Sequence, residues 1–380
     1  MGRGILFSWK GTTMKTFVCV TILFAAFSIS PAQPAGRATT ALKPYEIIQY
    51  ATVPGRGPQN IMLMDNNGNI LLACQQGATE GDLKRRGIAF TESQIVALET
   101  WRLLTEDNDT LKTMIPILDS AQTAQLRAYT RTVAAHVCDE TVDLVRTLVK
   151  HLEAIHRSRN AFSIVFSYVV DGLTWRDLEA KKVLTERTIS VETPLWAGEV
   201  WALYRPRTFE CGTNSISDQG ISIKVNWSDA SIPKMIPFVA DFKTLGRMFD
   251  DYALSGRVMD AKAMRVFGPF QLFDDKGQFT IPVIAETKSN KLYTVASALA
   301  QRITGIVINT LDLASLKERY NFRTDQQAFV IVYHEIMWDL MDAYEQKGLL
   351  QKPVAFADPS HARPSDISDL VFIVRQETKQ

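Results

Sequence analysis

Two stretches of the chain read alike: Leu83-Lys84-Arg85-Arg86 followed by Thr91-Glu92-Ser93-Gln94, and Leu316-Lys317-Glu318-Arg319 followed by Thr324-Asp325-Gln326-Gln327. They align without gaps. Each sets a threonine three residues before a glutamine, the spacing of a capping box, in which the hydroxyl accepts the third residue's N–H and the amide reaches back. Behind Thr91, apolar residues recur at Ile95, Leu98, Trp101 and Leu104; behind Thr324 they recur at Phe329, Val332, Ile336, Leu340 and Tyr344, up to Gly348. That is helical spacing with a start and, in the second copy, a stop. Short helix, turn and longer capped helix make a helix-turn-helix layout, and strand-like Thr110–Leu118 after the first copy adds a wing.

Each copy is preceded by a turn signal between apolar runs. Asp65-Asn66-Asn67-Gly68 separates Asn60–Met64 from Asn69–Cys74, and Asp274-Asp275-Lys276-Gly277 separates Leu272-Phe273 from Phe279–Ile284. Both predict hairpins. Asp65, Asn67 and Asn69 also alternate as in a calcium loop, but the glycine falls at the wrong position and Gln76 replaces the closing glutamate. The shared order predicts an internal duplication, with segment 60–118 superposing on 270–356.

Between the copies, residues 119–157 carry Leu126, Val133, Val137, Leu144, Leu148, Leu152 and Ile155 on one stripe. A second helix over Ala161 to Leu184 is nearly uncharged in its first ten residues, so the pair reads as a helical hairpin turned at Ser158–Asn160. Strands are predicted at Ile189–Val191, Gly198–Tyr204, Thr208–Cys211 and Ile221–Trp227, and helix over Ile236–Met264 and Tyr293–Asn309. The expected fold is α+β. Two helix-turn-helix (winged-helix-like) modules, at 36–118 and 270–380, flank a helical hairpin at 119–187 and a β-rich segment at 188–269.

With 42 basic and 41 acidic residues among 380, the chain is near neutral. That balance argues against a basic nucleic-acid binder and against a polybasic membrane-surface protein. From Met14 the sequence runs Met-Lys-Thr, then apolar Phe17–Phe27, then Pro31-Ala32-Gln33-Pro34-Ala35. A positive start, a short apolar run and a small-residue exit are the pattern of a secretory signal, so residues 1–35 are read as leader and the mature chain as exported, periplasmic or extracellular. No span after residue 35 is long enough to cross a bilayer. Cys74, Cys138 and Cys211 would then meet an oxidising compartment, where at most one disulfide is possible; buried inert thiols are the expected state.

The candidate chemistry is thin. Tyr333-His334-Glu335 resembles the start of a zincin helix, but Trp338 stands where the second histidine must be. His334 is therefore read as half-buried beside a solvated acidic face of Glu335, Asp339 and Asp342, with Glu335, Trp338 and Asp339 as candidate binding residues. His136, Glu140 and Asp143 share a helix face, as any exposed polar face does. Cys211 would need a base, from His334 or His361, to act as a nucleophile. No metal or cofactor is expected. The leading expectation is an exported, non-enzymatic protein that binds a protein or ligand. A hydrolase using Cys211 or His334 is the alternative. A DNA-binding regulator follows only if residues 14–35 are no signal.

Overall fold

A computed structural model describes residues 42, 45–50, 57–185, 199–218 and 220–376. The predicted leader and the Ile189–Val191 strand lie outside these residues. The described chain mixes helix and strand in two hydrophobic cores, as expected for α+β.

The smaller core belongs to the N-terminal lobe. Helices α1 (Gln59–Leu63), α2 (Asn67–Ala73), α3 (Glu80–Arg85) and α4 (Glu92–Thr100) are followed by an antiparallel pair, β2 (Leu104–Asp107) and β3 (Thr110–Thr113). Ala78 bridges Leu111, and Met62, Ile70, Leu71, Leu83, Leu98 and Leu103 fill the interior. Strand β1 (Glu46–Tyr50) pairs antiparallel with β4 (Val200–Tyr204), and this ribbon is the wall between the cores. Trp201 and Leu203 face the small core, whereas Val200, Ala202 and Tyr204 face the large one. The two-residue period of a strand makes that possible: successive side chains leave opposite faces.

The large core is organised by three long helices, α5 (Ser120–Ala154), α11 (Lys291–Thr310) and α13 (Asp325–Gln346), with α12 (Leu313–Tyr320) leading into α13. Asp119 caps α5 through a complete box with Gln122. The predicted stripe is buried at Leu126, Val133, Val137, Leu148 and Leu152, each such side chain stabilising by about 1.5–3 kcal/mol, while Ile155 is exposed. After the turn at Ser158–Asn160 the chain enters α6 (Ala161–Ser163), a π-helix (Ile164–Leu173) and α7 (Thr174–Ala180). These do not fold back along α5 as a hairpin; α5 lies instead against α13 and α11. Strands β5 (Gly212–Asp218), β6 (Ile221–Trp227), β7 (Val283–Ala285) and β8 (Val371–Arg375) form a sheet ordered β5-β6-β8-β7, antiparallel except for β7 with β8. Helices α8 (Ile232–Val239), α9 (Phe242–Ser255) and α10 (Ala261–Phe267) bridge β6 to the Asp274–Gly277 turn, and α14 (Val354–Ala357) precedes β8.

Three local expectations fail for identifiable reasons. Residues 60–74 form helices α1 and α2, not a hairpin. The left-handed residue is Asp65 (φ 46), and Asn67 and Gly68 are inside α2. Asn67 is buried, donates to Ile61 O at 2.7 Å and accepts from Gln94 of α4 at 3.1 Å, so tertiary bonds use the side chain that a local turn would have used. Thr208–Cys211 is irregular, and the strand begins at Gly212, over which the Trp227 ring lies.

The second predicted hairpin is a tight turn closed by one bridge, Phe273 to Phe279. The duplication therefore fails at its first element, and what the two segments share is a short helix before a capped one. Both caps form: Thr91 accepts from Gln94 N, and Thr324 from Gln327 N. Only the first completes its box, because the Gln327 amide accepts from Arg323 N and donates to Met114 O.

Candidate functional site

The α13 face predicted to be solvated is turned inward. Glu335 has no exposed surface and Asp339 is 5% exposed. Positions 335 and 339, one turn apart, meet guanidiniums from two other parts of the chain. Glu335 Oε2 accepts from Arg127 Nε of α5 at 3.0 Å and from Arg207 Nε and Nη2 at 2.9 and 2.6 Å. Asp339 accepts from Arg207 Nη1 at 2.8 Å and from Thr130 Oγ1 at 2.6 Å. Arg127 also donates to the carbonyls of Arg205 and Pro206 at 2.7 and 3.2 Å. The cluster thus clamps α5, α13 and the segment leading from β4 to β5 onto one another. Burial alone would lower the Arg207 guanidinium; the carboxylates of Asp339 and Glu335 outweigh it and hold it above its usual value. Of the predicted acidic face, Asp342 alone is exposed. Arg127, Thr130 and Arg207 went unnoticed in the sequence because nothing local marks a basic residue that pairs across 128 or 208 positions.

His334 sits on the outer side of the same helix among rings. It stacks on Tyr50 with centroids 3.9 Å apart and meets Trp175 edge-on at 5.6 Å, with Trp338 at 6.4 Å. Its Nδ1 lies 2.7 Å from Val330 O, and since a carbonyl only accepts, Nδ1 carries the proton. Burial lowers the imidazole from 6.5 to about 4, the Val330 bond opposing, so the ring is neutral near pH 7. The unfolded chain would take up a proton near pH 6.5 that the folded chain refuses until about 4. The stability this contributes is present above 6.5 and is lost as pH falls toward 4, up to about 3 kcal/mol at about 1.4 kcal/mol per unit. His334→Phe keeps a ring there without the titration. The difference in unfolding midpoint between this variant and the parent should shift in the variant's favour from pH 7 to pH 4. A difference independent of pH would contradict the neutral, buried imidazole.

The other candidates are kept apart. Cys211 is 4% exposed, and burial pushes its thiol far above the usual value, so thiolate is scarce at neutral pH. Its carbonyl accepts from Trp338 Nε1 at 3.1 Å, whereas His334 is occupied by Tyr50, Trp175 and Val330. His361 is on an exposed loop, bonded to Asp358 at 2.9 Å and Ser360 at 3.1 Å. The structure therefore does not join Cys211 to either histidine. Trp338 carries the Arg207 guanidinium 5.6 Å from its ring centroid, which ties it to the clamp. On α5, Glu140 pairs with Arg302 and Asp143 with Arg146, leaving His136 on an exposed surface. Cys74, Cys138 and Cys211 are all buried free thiols. Among the described residues no three His, Cys, Asp or Glu side chains are grouped to hold a metal ion, and no helix is long and apolar enough to cross a membrane.

A second polar cluster lies where the π-helix meets the sheet. Tyr168 donates to Glu286 Oε1 at 2.9 Å, and Arg176 grips the same carboxylate at 2.6 and 3.2 Å. Lys224 of β6 stands beside it, bonded to Ser215 directly opposite on β5. Nothing local in the sequence marks these five residues beyond a lysine in an otherwise strand-like run.

No family model matches the chain, and neither a curated protein nor a solved structure matches it.

Proposed function

We propose that the chain is an exported protein that acts by binding, with a winged-helix-like N-terminal lobe as a protein-docking module. The observation that carries this reading is the order α2, Ala78, α3, α4, β2, β3, with Ala78 bridged to Leu111. This order supports the helix-turn-helix reading, with the β2–β3 hairpin in the place of a wing. The surface such a module would present carries Glu92 at the start of α4 and Glu106, Asp107 and Asp109 at the hairpin tip, all exposed. Phosphate contacts dominate nucleic-acid affinity; Lys84, Arg85 and Arg86 at the end of α3 are exposed too, but these carboxylates and the near-neutral charge of the chain favour a protein partner over DNA. Turnover by Cys211 or His334 has no support in the site, since the thiol is protonated and the imidazole is not beside it.

Export is tested by the mature N-terminus. Protein isolated from its native host should begin between Gln33 and Ala38; a cytosolic protein retaining residues 14–35 would overturn this part. Fluorescence anisotropy with duplex DNA in about 50 mM salt, where phosphate contacts are strongest, should show no association. Binding that weakens steeply with added salt would make the regulator the better reading.

A further inference from the structure

Most edges of the described strands are blunted. Strand β7, at one end of the four-stranded sheet, is only three residues long. The outer side of β4 is held by Leu118 N donating to Leu203 O and Leu203 N donating to Pro116 O, both at 2.9 Å. In the β2–β3 pair, β2 carries exposed Glu106 and Asp107, and β3 is bridged to Ala78. Strand β1 starts at the exposed Glu46. Short strands, charges and covering segments are the usual protections of a sheet edge.

Strand β5 lacks them until Asp218, its last residue. Its seven residues, Gly212-Thr213-Asn214-Ser215-Ile216-Ser217-Asp218, pair with β6 in an unbroken register without a bulge. It is the last strand of its sheet, and among the described residues no backbone group bonds to its other side. The stretch has no proline and no lysine; Lys224 beside it is on β6 and is bonded to Ser215. Ile216 is buried, which fixes the strand's faces, while Thr213, Asn214 and Ser215 are half-buried and Ser217 is exposed. Every second residue of such an edge turns its N–H and C=O outward.

We propose that β5 pairs antiparallel with β5 of a second copy of this chain, joining two four-stranded sheets into one. A two-fold axis at Ser215 aligns all seven residues: Thr213 faces Ser217 of the second copy, Asn214 faces Ile216, and Ser215 faces its own counterpart. Full overlap makes about six to eight backbone hydrogen bonds. A second copy fits this edge better than a foreign peptide because the strand is compatible with itself in charge. Turned end for end, its one charged residue, Asp218, stands opposite Gly212, so no like charges meet. The same patch on both subunits is what a closed dimer requires. This goes beyond the binding reading above, since it concerns the sheet and not the N-terminal lobe.

The test is sedimentation velocity of the full chain up to about 100 μM, far above the dissociation constant of a stable dimer. The parent should pass reversibly from one chain mass to two. Thr213→Lys with Ser217→Lys sets like charges opposite each other at two symmetric pairs and should weaken the dimer about tenfold or more. Thr213→Lys with Ser217→Glu sets opposite charges at the same pairs and should restore it, a rescue that damage to folding would not show. A parent that stays monomeric at the highest concentration would overturn the proposal and leave the edge to a different partner. A dimer equally tight in the parent and the double-lysine variant would overturn the use of β5. The parent alone decides the first of these results, whether or not the variants fold. DNA or protein-docking measurements on the N-terminal lobe are independent of it.

Discussion

Arg207→Met should destabilise the protein by about 3–5 kcal/mol, the range found when one partner of a buried ion pair is removed and the other is left uncompensated. The expectation rests on which atoms lose their donors. Glu335 Oε2 would keep only Arg127 of its three guanidinium contacts, and Asp339 would keep only the Thr130 hydroxyl. Glu335 Oε1 already has no hydrogen-bond partner, so no spare donor is on hand to compensate. Methionine retains most of the side chain's volume, which separates lost charge pairing from a cavity. Arg127→Met removes only one of those donors to Glu335, so its effect should be smaller. Urea unfolding of the two variants, with slopes unchanged from the parent, gives the comparison. A loss below about 1 kcal/mol for Arg207→Met would place the pair in the class of exposed salt bridges and contradict the burial seen here.

Gly277→Ala should be nearly as severe. Gly277 has φ +77, and a Cβ built there would lie 1.9 Å from Val258 O. The contact is with backbone, so no side chain can swing aside. Val258 N also donates to Gly277 O at 2.9 Å, and the Asp274 carboxylate holds the turn by accepting from Lys276 N and Gln278 N at 2.9 Å each. Moving the turn away from Val258 would break the first bond. Gly256 supplies the comparison: it caps α9 at φ +70 with nothing within 4 Å of its Cβ position. Gly256→Ala should cost about 1–2 kcal/mol, the left-handed penalty alone. Gly277→Ala adds a backbone clash and a lost hydrogen bond to that penalty, for a total of about 3 kcal/mol or more. Equal costs at the two positions would mean that the approach to Val258 is not as close as described.

What could be read from the sequence follows from which interactions are local. The α5 stripe, the Thr91 and Thr324 caps and the Ile221–Trp227 strand all depend on spacing within a few residues, and all are found. The Asp65–Gly68 turn signal was equally local but lost to Asn67, whose amide donates to Ile61 O and accepts from Gln94. For α13 the apolar stripe was legible, yet the opposite face was misjudged. Two carboxylates at i and i+4 look the same in sequence whether they meet water or arginines, and Arg207 lies 128 positions from Glu335. His334 was read as half-buried and is so, because Trp338 and Tyr333 beside it are local neighbours; its stacking partners Tyr50 and Trp175 are not. The Lys224 cluster shows in the sequence only as a lysine in an otherwise strand-like run, since the residues around it come from four other segments.

The central structural claim is that the carboxylates of α13 form a buried clamp with the arginines and not a solvated or reactive face. A double-mutant cycle between Arg207 and Glu335, with Arg207→Met, Glu335→Gln and the pair together, tests it most directly by urea unfolding. Residues joined by three direct hydrogen bonds to one carboxylate and its backbone should couple by about 1.5–3 kcal/mol, the double variant being that much less damaged than the sum of the singles. Additivity within about 0.5 kcal/mol would show that the two side chains do not depend on each other, and the clamp would have to be abandoned.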